Sequence, residues 1–398
     1  MKPWRIRLLL CLVTVVALDQ FVQLALLDDG YVRSRRIAPF DPPIFAPIQS
    51  ESLARIRSHL NTGQPPLSAL DFDAELGWRP KPDSGSHWYQ HDWAGCRIGN
   101  GPLPRERTLG RRRAVAVGCS FTFGSEVDAR DTWEAQLERL ARELEVANLG
   151  VGGYGMDQAL LRWRRDGIPL HPDEVWFEAL PSAMLRVVTT YMPALSHWGF
   201  GASFKPRFEL EHDGGLHFVP SPARNLDDVV RLMSSQSEFV AAVGHTDRWV
   251  MSHPAAYAPF GSSWLHRSSI ARVVLTLDEK HERDVSDELR NPASEIFQLT
   301  QRVCRMARAD AQAAGARFRI WLFPTRGELQ SLDEGAAAYW TSWVEALRQD
   351  GFEVFDLTPA FQAAGGARNA GLWAPETHYS AEGNGVVARA LADYLAGS

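Results

Sequence analysis

Residues Ala114 to Ser125 read AVAVGCSFTFGS: four small apolar residues, a glycine, and then Ser120 held between Cys119 and Phe121. A strand that stops at Gly118 and passes into a serine-rich turn sets Ser120 at the carboxyl end of a sheet strand, where open α/β folds bind their ligands. Taken alone, such a strand end suits a turn-capping hydroxyl as well as a nucleophile. The surrounding segments decide between them.

Downstream, DTWEAQLERLARELE spaces Trp133, Leu137, Leu140 and Leu144 on one helical face, with Asp131 as the expected N-cap. Short apolar runs and helical stretches then alternate: EVANLG, LLRWRRDG and DEVWFEAL, a helix over 295–314, RFRIWLFP, YWTSWVEALRQDG, FEVFDL, and a terminal helix in GNGVVARALADYLAG. Strand-helix alternation at this spacing predicts an α/β fold, a mostly parallel sheet between two helical layers. An insertion around 205–290 breaks the rhythm, and KPRFELEHDGGLHFVP reads as a hairpin turning at Asp213, Gly214 and Gly215. Residues 71–110, aromatic and glycine-rich, read as an irregular cover on the domain that fills 111–398. Residues 28–70, rich in Pro, Ser and charge, read as a linker.

The chain of 398 residues is 45% hydrophobic, enough for a large core, and its net charge of -6 offers no basic footprint for nucleic acid. Cys11, Cys96, Cys119 and Cys304 form no CxxC pair, so neither a metal site nor a disulfide framework is expected, and no cofactor is called for. At the start, Lys2, Arg5 and Arg7 precede an apolar run from Leu8 to Leu27, interrupted by Asp19, Gln20 and Gln23. That pattern predicts a cytoplasmic tail at 1–7 and an inner-membrane anchor at 8–27, with the rest facing the periplasm. A cleaved signal, or a buried helix that spares Asp19 the cost of lipid, are the alternatives.

Three blocks in order, GCSFTFGSEVDARDTW at 118–133, NLGVGGYGMDQALL at 148–161 and APETHYSAEGNGVVARAL at 374–391, carry a family likeness, supported by FPTRGEL at 323–329, DLTPAF at 356–361 and DAELGWRPKP. Together they resemble an envelope-associated, membrane-anchored group of SGNH/GDSL-type serine hydrolases. The resemblance covers most of 71–398 and implies a three-layer, flavodoxin-like α/β/α fold. It further implies Ser120 as nucleophile, His378 as general base and Glu376 as the acid two residues before it. The amides of Ser120 and Gly153 would form the oxyanion hole. This arrangement is chemically coherent, since a serine hydroxyl needs an imidazole to take its proton and the imidazole needs a carboxylate to fix its tautomer.

Three positions depart from the family pattern. Cys119 stands where the family has an Asp that braces the nucleophile loop, and an exposed thiol there would be a second nucleophile. Glu376 is one methylene longer than the usual acid. In WFEALPSAMLR no Asn comes after the third strand, so Ser182, with Glu178 nearby, is the candidate for the missing oxyanion donor. The implied activity is ester hydrolysis through an acyl-serine, on a small ester or on O-acyl groups of an envelope or exported carbohydrate. Trp78, Trp88, Trp93 and Tyr154 are candidate stacking surfaces for a sugar ring. An O-acyltransferase using the same site, and a weak pseudoenzyme that scaffolds polysaccharide export, are the alternatives.

Overall fold

The computed structural model describes residues 2–25, 31–32, 35–36, 47–63, 70–86, 88–195, 204–211, 214–244, 247–248, 268–278 and 285–397. They group into two compact units, Leu67–Val188 with Lys205–Ser221 and Arg283–Ser398, and Met1–Pro66 with Thr189–Phe204 and Pro222–Glu282.

The larger unit is built on five parallel strands: β1 (Arg112–Val117), β2 (Leu144–Asn148), β3 (Glu174–Ala179), β4 (Arg317–Leu322) and β5 (Val354–Asp356), ordered β5-β4-β3-β1-β2. This is a doubly wound order whose direction reverses between β1 and β3, the place where such sheets open a crevice at their carboxyl ends. Strands covered on both faces need apolar side chains in both directions. Val115, Val117, Val175, Phe177, Ile320 and Leu322 accordingly join one core with Leu160, Leu299 and Val303. Toward the other face, Trp176 meets Trp133 at 6.1 Å and Trp321 at 5.9 Å, and Trp321 meets Tyr394 edge-on at 5.6 Å. Helices Met156–Arg162 and Glu295–Ala313 pack together, as do Trp133–Leu140 and Ala381–Ala396, which completes three layers.

Several local expectations shift. Helix Trp133–Leu140 is capped by the Thr132 side chain, which accepts from the Ala135 amide, so Asp131 is not the cap. The helix stops four residues short of Leu144, because Leu144 pairs with Arg112 and opens β2. The hairpin forms, with Arg207–Leu210 antiparallel to Leu216–Val219, and it belongs to the larger unit; Asp213 lies outside the described residues.

In the smaller unit, Pro47–Thr62 is helical although its stretch reads as linker, and most of 28–46 lies outside the described residues. The apolar run forms a helix, Pro3–Ala25, whose most apolar 18 residues have a mean hydropathy of 2.1, enough in length and composition to cross a membrane. Leu27 lies outside the described residues. Asp19 accepts hydrogen bonds from Ser268 Oγ at 2.6 Å and the Ile270 amide at 2.9 Å. The buried Asp247 carboxylate accepts from Thr189 Oγ1 at 2.9 Å and from the amides of Thr190 and Tyr191 at 2.6 and 2.7 Å, tying distant stretches of this unit together.

Candidate active site

β1 ends at Val117, and the chain turns through Gly118 and Cys119 into a short helix, Ser120–Phe123, that ends on left-handed Gly124. Gly118 has no room for a side chain, since a Cβ there would lie 2.1 Å from Glu178 Oε2. The Glu178 carboxylate, reaching across from β3, accepts from the Cys119 amide at 2.8 Å, the Thr122 amide at 3.0 Å, Thr122 Oγ1, and Cys119 Sγ at 2.7 Å. The bracing carboxylate absent from position 119 is therefore supplied by the neighbouring strand. Burial, reinforced by Glu178, pushes the Cys119 thiol up to about 12. It stays protonated at neutral pH and is buried, which removes it as a second nucleophile.

His378 sits in the loop before the last helix, and its Nδ1 lies 2.5 Å from Glu126 Oε2. Glu126 also accepts from the His378 amide at 3.2 Å and, through Oε1, from the Glu376 amide at 2.7 Å. The carboxylate beside the imidazole is thus Glu126, six residues after Ser120, and not Glu376, whose side chain is exposed. The cause is local backbone geometry. The Ala374–His378 turn, closed by Ala374 N donating to His378 O, puts Thr377 at φ 85° and presents the Glu376 amide, not its carboxylate, to Glu126. Glu126 itself has φ 67°. Left-handed non-glycine residues cost of order 1–3 kcal/mol and persist only where the surroundings over-determine them.

Phe121, the residue after Ser120, packs against the His378 ring at 5.2 Å and against Tyr379 at 4.8 Å. Tyr379 Oη in turn donates to Pro324 O at 2.6 Å, fixing the histidine loop to the end of β4. Ser120 Oγ lies 3.8 Å from Cys119 Sγ. Among the described residues it forms no hydrogen bond to His378, a contact that often tightens only when substrate is bound.

The second block is fastened to the Ser120 loop. Val151 N donates to Gly118 O at 3.1 Å, Asn148 Nδ2 donates to Thr122 O at 2.8 Å, and a Cβ on Gly150 would lie 2.4 Å from Phe123 N. Gly153 adopts φ 80°, a conformation that suits glycine. Among the described residues the amides of Ser120 and Gly153 have no protein acceptor, as a hole for an oxyanion requires. Ser182 is joined differently: its amide donates to Glu328 Oε1 at 3.1 Å, and no described hydrogen bond links its hydroxyl to the other site residues.

The aromatic candidates divide. Trp78 and Tyr154 are buried, with Trp78 Nε1 on Gly152 O at 3.0 Å and Tyr154 Oη on Trp78 O at 2.5 Å. They buttress the Gly153 turn and offer no stacking surface. Trp93 donates to Leu103 O at 2.8 Å beneath the Arg105 guanidinium. Trp88 is exposed.

Sequence reasoning missed Glu126 and the two residues behind it, Tyr89 and Arg97. Tyr89 Oη accepts from the Glu126 amide at 3.0 Å. Arg97 Nη1 donates to Phe123 O at 2.7 Å and to Gly124 O, and Nη2 donates to Val127 O at 2.5 Å. Burial pulls Arg97 down to about 10, which leaves it charged at neutral pH. The only signal in the sequence was the acidic pair in GSEVD directly after the serine block.

No family model matches the chain, and no curated protein matches it. Among solved structures it is similar to a lipolytic protein of the G-D-S-L family from Desulfitobacterium hafniense, at 12% identity and a TM-score of 0.37, over 71% of this chain and 99% of that one. It is also similar to a GDSL-like lipase from Bacteroides thetaiotaomicron, at 11% identity and a TM-score of 0.34, over 73% of this chain and 91% of that one. A third similar structure is a catalytic mutant of an acetylxylan esterase from Geobacillus stearothermophilus, at 13% identity and a TM-score of 0.36, over 72% of this chain and 94% of that one.

Proposed function

We propose that this chain is an SGNH-like serine esterase, with Ser120 as nucleophile, His378 as general base and Glu126 as the carboxylate that orients the ring. The observation that carries this reading is the His378 Nδ1–Glu126 Oε2 pair at 2.5 Å, on a loop packed against Phe121 at the carboxyl end of β1. A carboxylate on Nδ1 fixes that nitrogen as the donor and leaves Nε2 with a lone pair to accept the serine proton.

Ser120 Oγ adds to the ester carbonyl while His378 Nε2 takes its proton, and the oxyanion lies against the Ser120 and Gly153 amides. Collapse breaks the ester C–O bond, and the imidazolium returns the proton to the leaving alkoxide. Water then adds to the acyl-serine with the same imidazole as base, releasing the acid and restoring Ser120. No metal or cofactor enters these steps. Ser182, whose amide is held by Glu328 Oε1, is the candidate for a further donor to that oxyanion.

The substrates we propose are O-acyl groups on an envelope or exported carbohydrate. The helix Pro3–Ala25 serves as an anchor, and the positive residues at its start support a periplasmic orientation for the chain beyond it. The test is fluorophosphonate labelling of the full chain, with turnover of a short activated ester. Wild type should label and turn over, and Ser120→Ala and His378→Ala should do neither while remaining folded. If Ser120→Ala labels and hydrolyses like wild type, the nucleophile is wrongly assigned.

A further inference from the structure

We infer that Arg97 is a positioning residue for the proposed esterase site, holding Glu126 on the His378 ring by clamping the backbone on both sides of it. The inference rests on the reading of Glu126 and His378 given above.

The guanidinium bonds to the carbonyls of Phe123 and Gly124 before Glu126 and to that of Val127 after it, so its contacts bracket the acid. A planar fork that serves three carbonyls at once suits a loop that must be fixed in direction as well as in place. Two mutually packed aromatic rings lie against the fork, whose central carbon is 4.7 Å from the centroid of Tyr89 and 4.7 Å from that of Phe123. Tyr89 closes the arrangement through its Oη, which accepts from the Glu126 amide. Arg97's own amide donates to Asn148 O at 2.9 Å, and the Asn148 side chain donates to Thr122 O. The clamp is thereby anchored at the end of β2, the strand that leads into the Gly153 turn.

Glu126 needs such support. It is neither glycine nor asparagine, and it holds φ 67°. A loop of this shape has no helix or strand ladder to maintain it. Released from Arg97 and Tyr89, the 124–127 segment is free to relax to ordinary backbone angles, which would turn the carboxylate away from Nδ1. Bonds that bracket a single functional residue differ from general core packing in one measurable respect: their loss acts on the orientation of the imidazole and on turnover, with little effect on substrate binding.

The experiment uses the full chain in detergent with Arg97→Lys, Arg97→Met and Tyr89→Phe, and with Glu126→Gln and Ser120→Ala as references. Two quantities are read: kcat and KM on a short activated ester, and the low-field proton resonance of a histidine Nδ1–H bonded to a carboxylate, recorded in the resting protein. Arg97→Met should lower kcat by about 10- to 100-fold with KM within about twofold, and should broaden or abolish the resonance, as Glu126→Gln does. Arg97→Lys should recover part of both, and Tyr89→Phe should lower kcat by a few-fold. Should Arg97→Met fail to fold, Arg97→Lys and Tyr89→Phe carry the test alone. Folded Arg97→Lys and Tyr89→Phe proteins with wild-type kcat and an intact resonance would overturn the inference. Because the resonance is read without turnover, it tests the clamp independently, whereas an active Ser120→Ala would overturn the esterase reading instead.

Discussion

Replacing Cys119 with aspartate, the residue that the resembled family carries beside its nucleophile, should destabilise this protein, and by an amount that depends on pH. Cys119 Sγ lies 2.7 Å from Glu178 Oε1, and both side chains are buried. Two carboxylates about 3 Å apart repel by roughly 5–6 kcal/mol at an effective dielectric constant near 20. Holding one proton between them is cheaper: for groups that ordinarily ionise near pH 4, it costs about 4 kcal/mol at pH 7. The folded variant therefore keeps a proton that its unfolded chain releases, so its stability falls as pH rises. The deficit relative to wild type should be about 4 kcal/mol at pH 7 and should shrink by about 1.4 kcal/mol for each unit toward pH 4. Cys119→Asn, which offers Glu178 a neutral donor, should stay within about 1 kcal/mol of wild type at both ends of that range. Urea unfolding of the three proteins at pH 5 and pH 7 measures these differences. A Cys119→Asp protein whose deficit is the same at both pH values, or absent at pH 7, would refute the placement of the Glu178 carboxylate against position 119.

Glu126→Gln and Glu376→Gln separate the two acids. The first should lower kcat by about 10²–10⁴-fold, the range expected when a triad loses its orienting carboxylate, and the second by less than about threefold, because only the Glu376 amide touches the site. Equal losses in the two ester assays would contradict the assignment. His91 is held neutral, drawn down to about 4 first by burial and then by the charges of Arg162 and Arg97, and neither ring nitrogen has a described partner. Since its unfolded value is near 6.5, its contribution is fully present above that pH and is lost as pH falls toward 4, by up to about 3 kcal/mol. His91→Phe should therefore flatten the acid limb of the stability profile over that interval, and parallel limbs in urea titrations from pH 4 to pH 8 would count against a buried neutral imidazole.

The sequence by itself carried the local signals. AVAVG before Ser120 marked a strand, the apolar spacing of 295–314 marked an amphipathic helix, and Asp213-Gly214-Gly215 marked a hairpin; these were legible because strand, helix and turn preferences act over a few residues. Strand-helix alternation was enough for a parallel sheet between helical layers. Tertiary structure alone decided the order β5-β4-β3-β1-β2, since parallel partners such as Val115 and Val175 are brought together by contacts far apart in the chain. It also ended the helix at Leu140, where the pairing of Leu144 with Arg112 outweighs a continuing helical pattern. At the site, nearness in sequence favoured Glu376 for His378, yet the left-handed turns at Thr377 and Glu126 reverse which carboxylate faces the ring. The same holds for the brace at Cys119, whose carboxylate comes from Glu178 fifty-nine positions away across β3. Backbone direction at a tight turn, and the reach of a side chain across a sheet, are properties of the folded chain, and no spacing along the sequence encodes them.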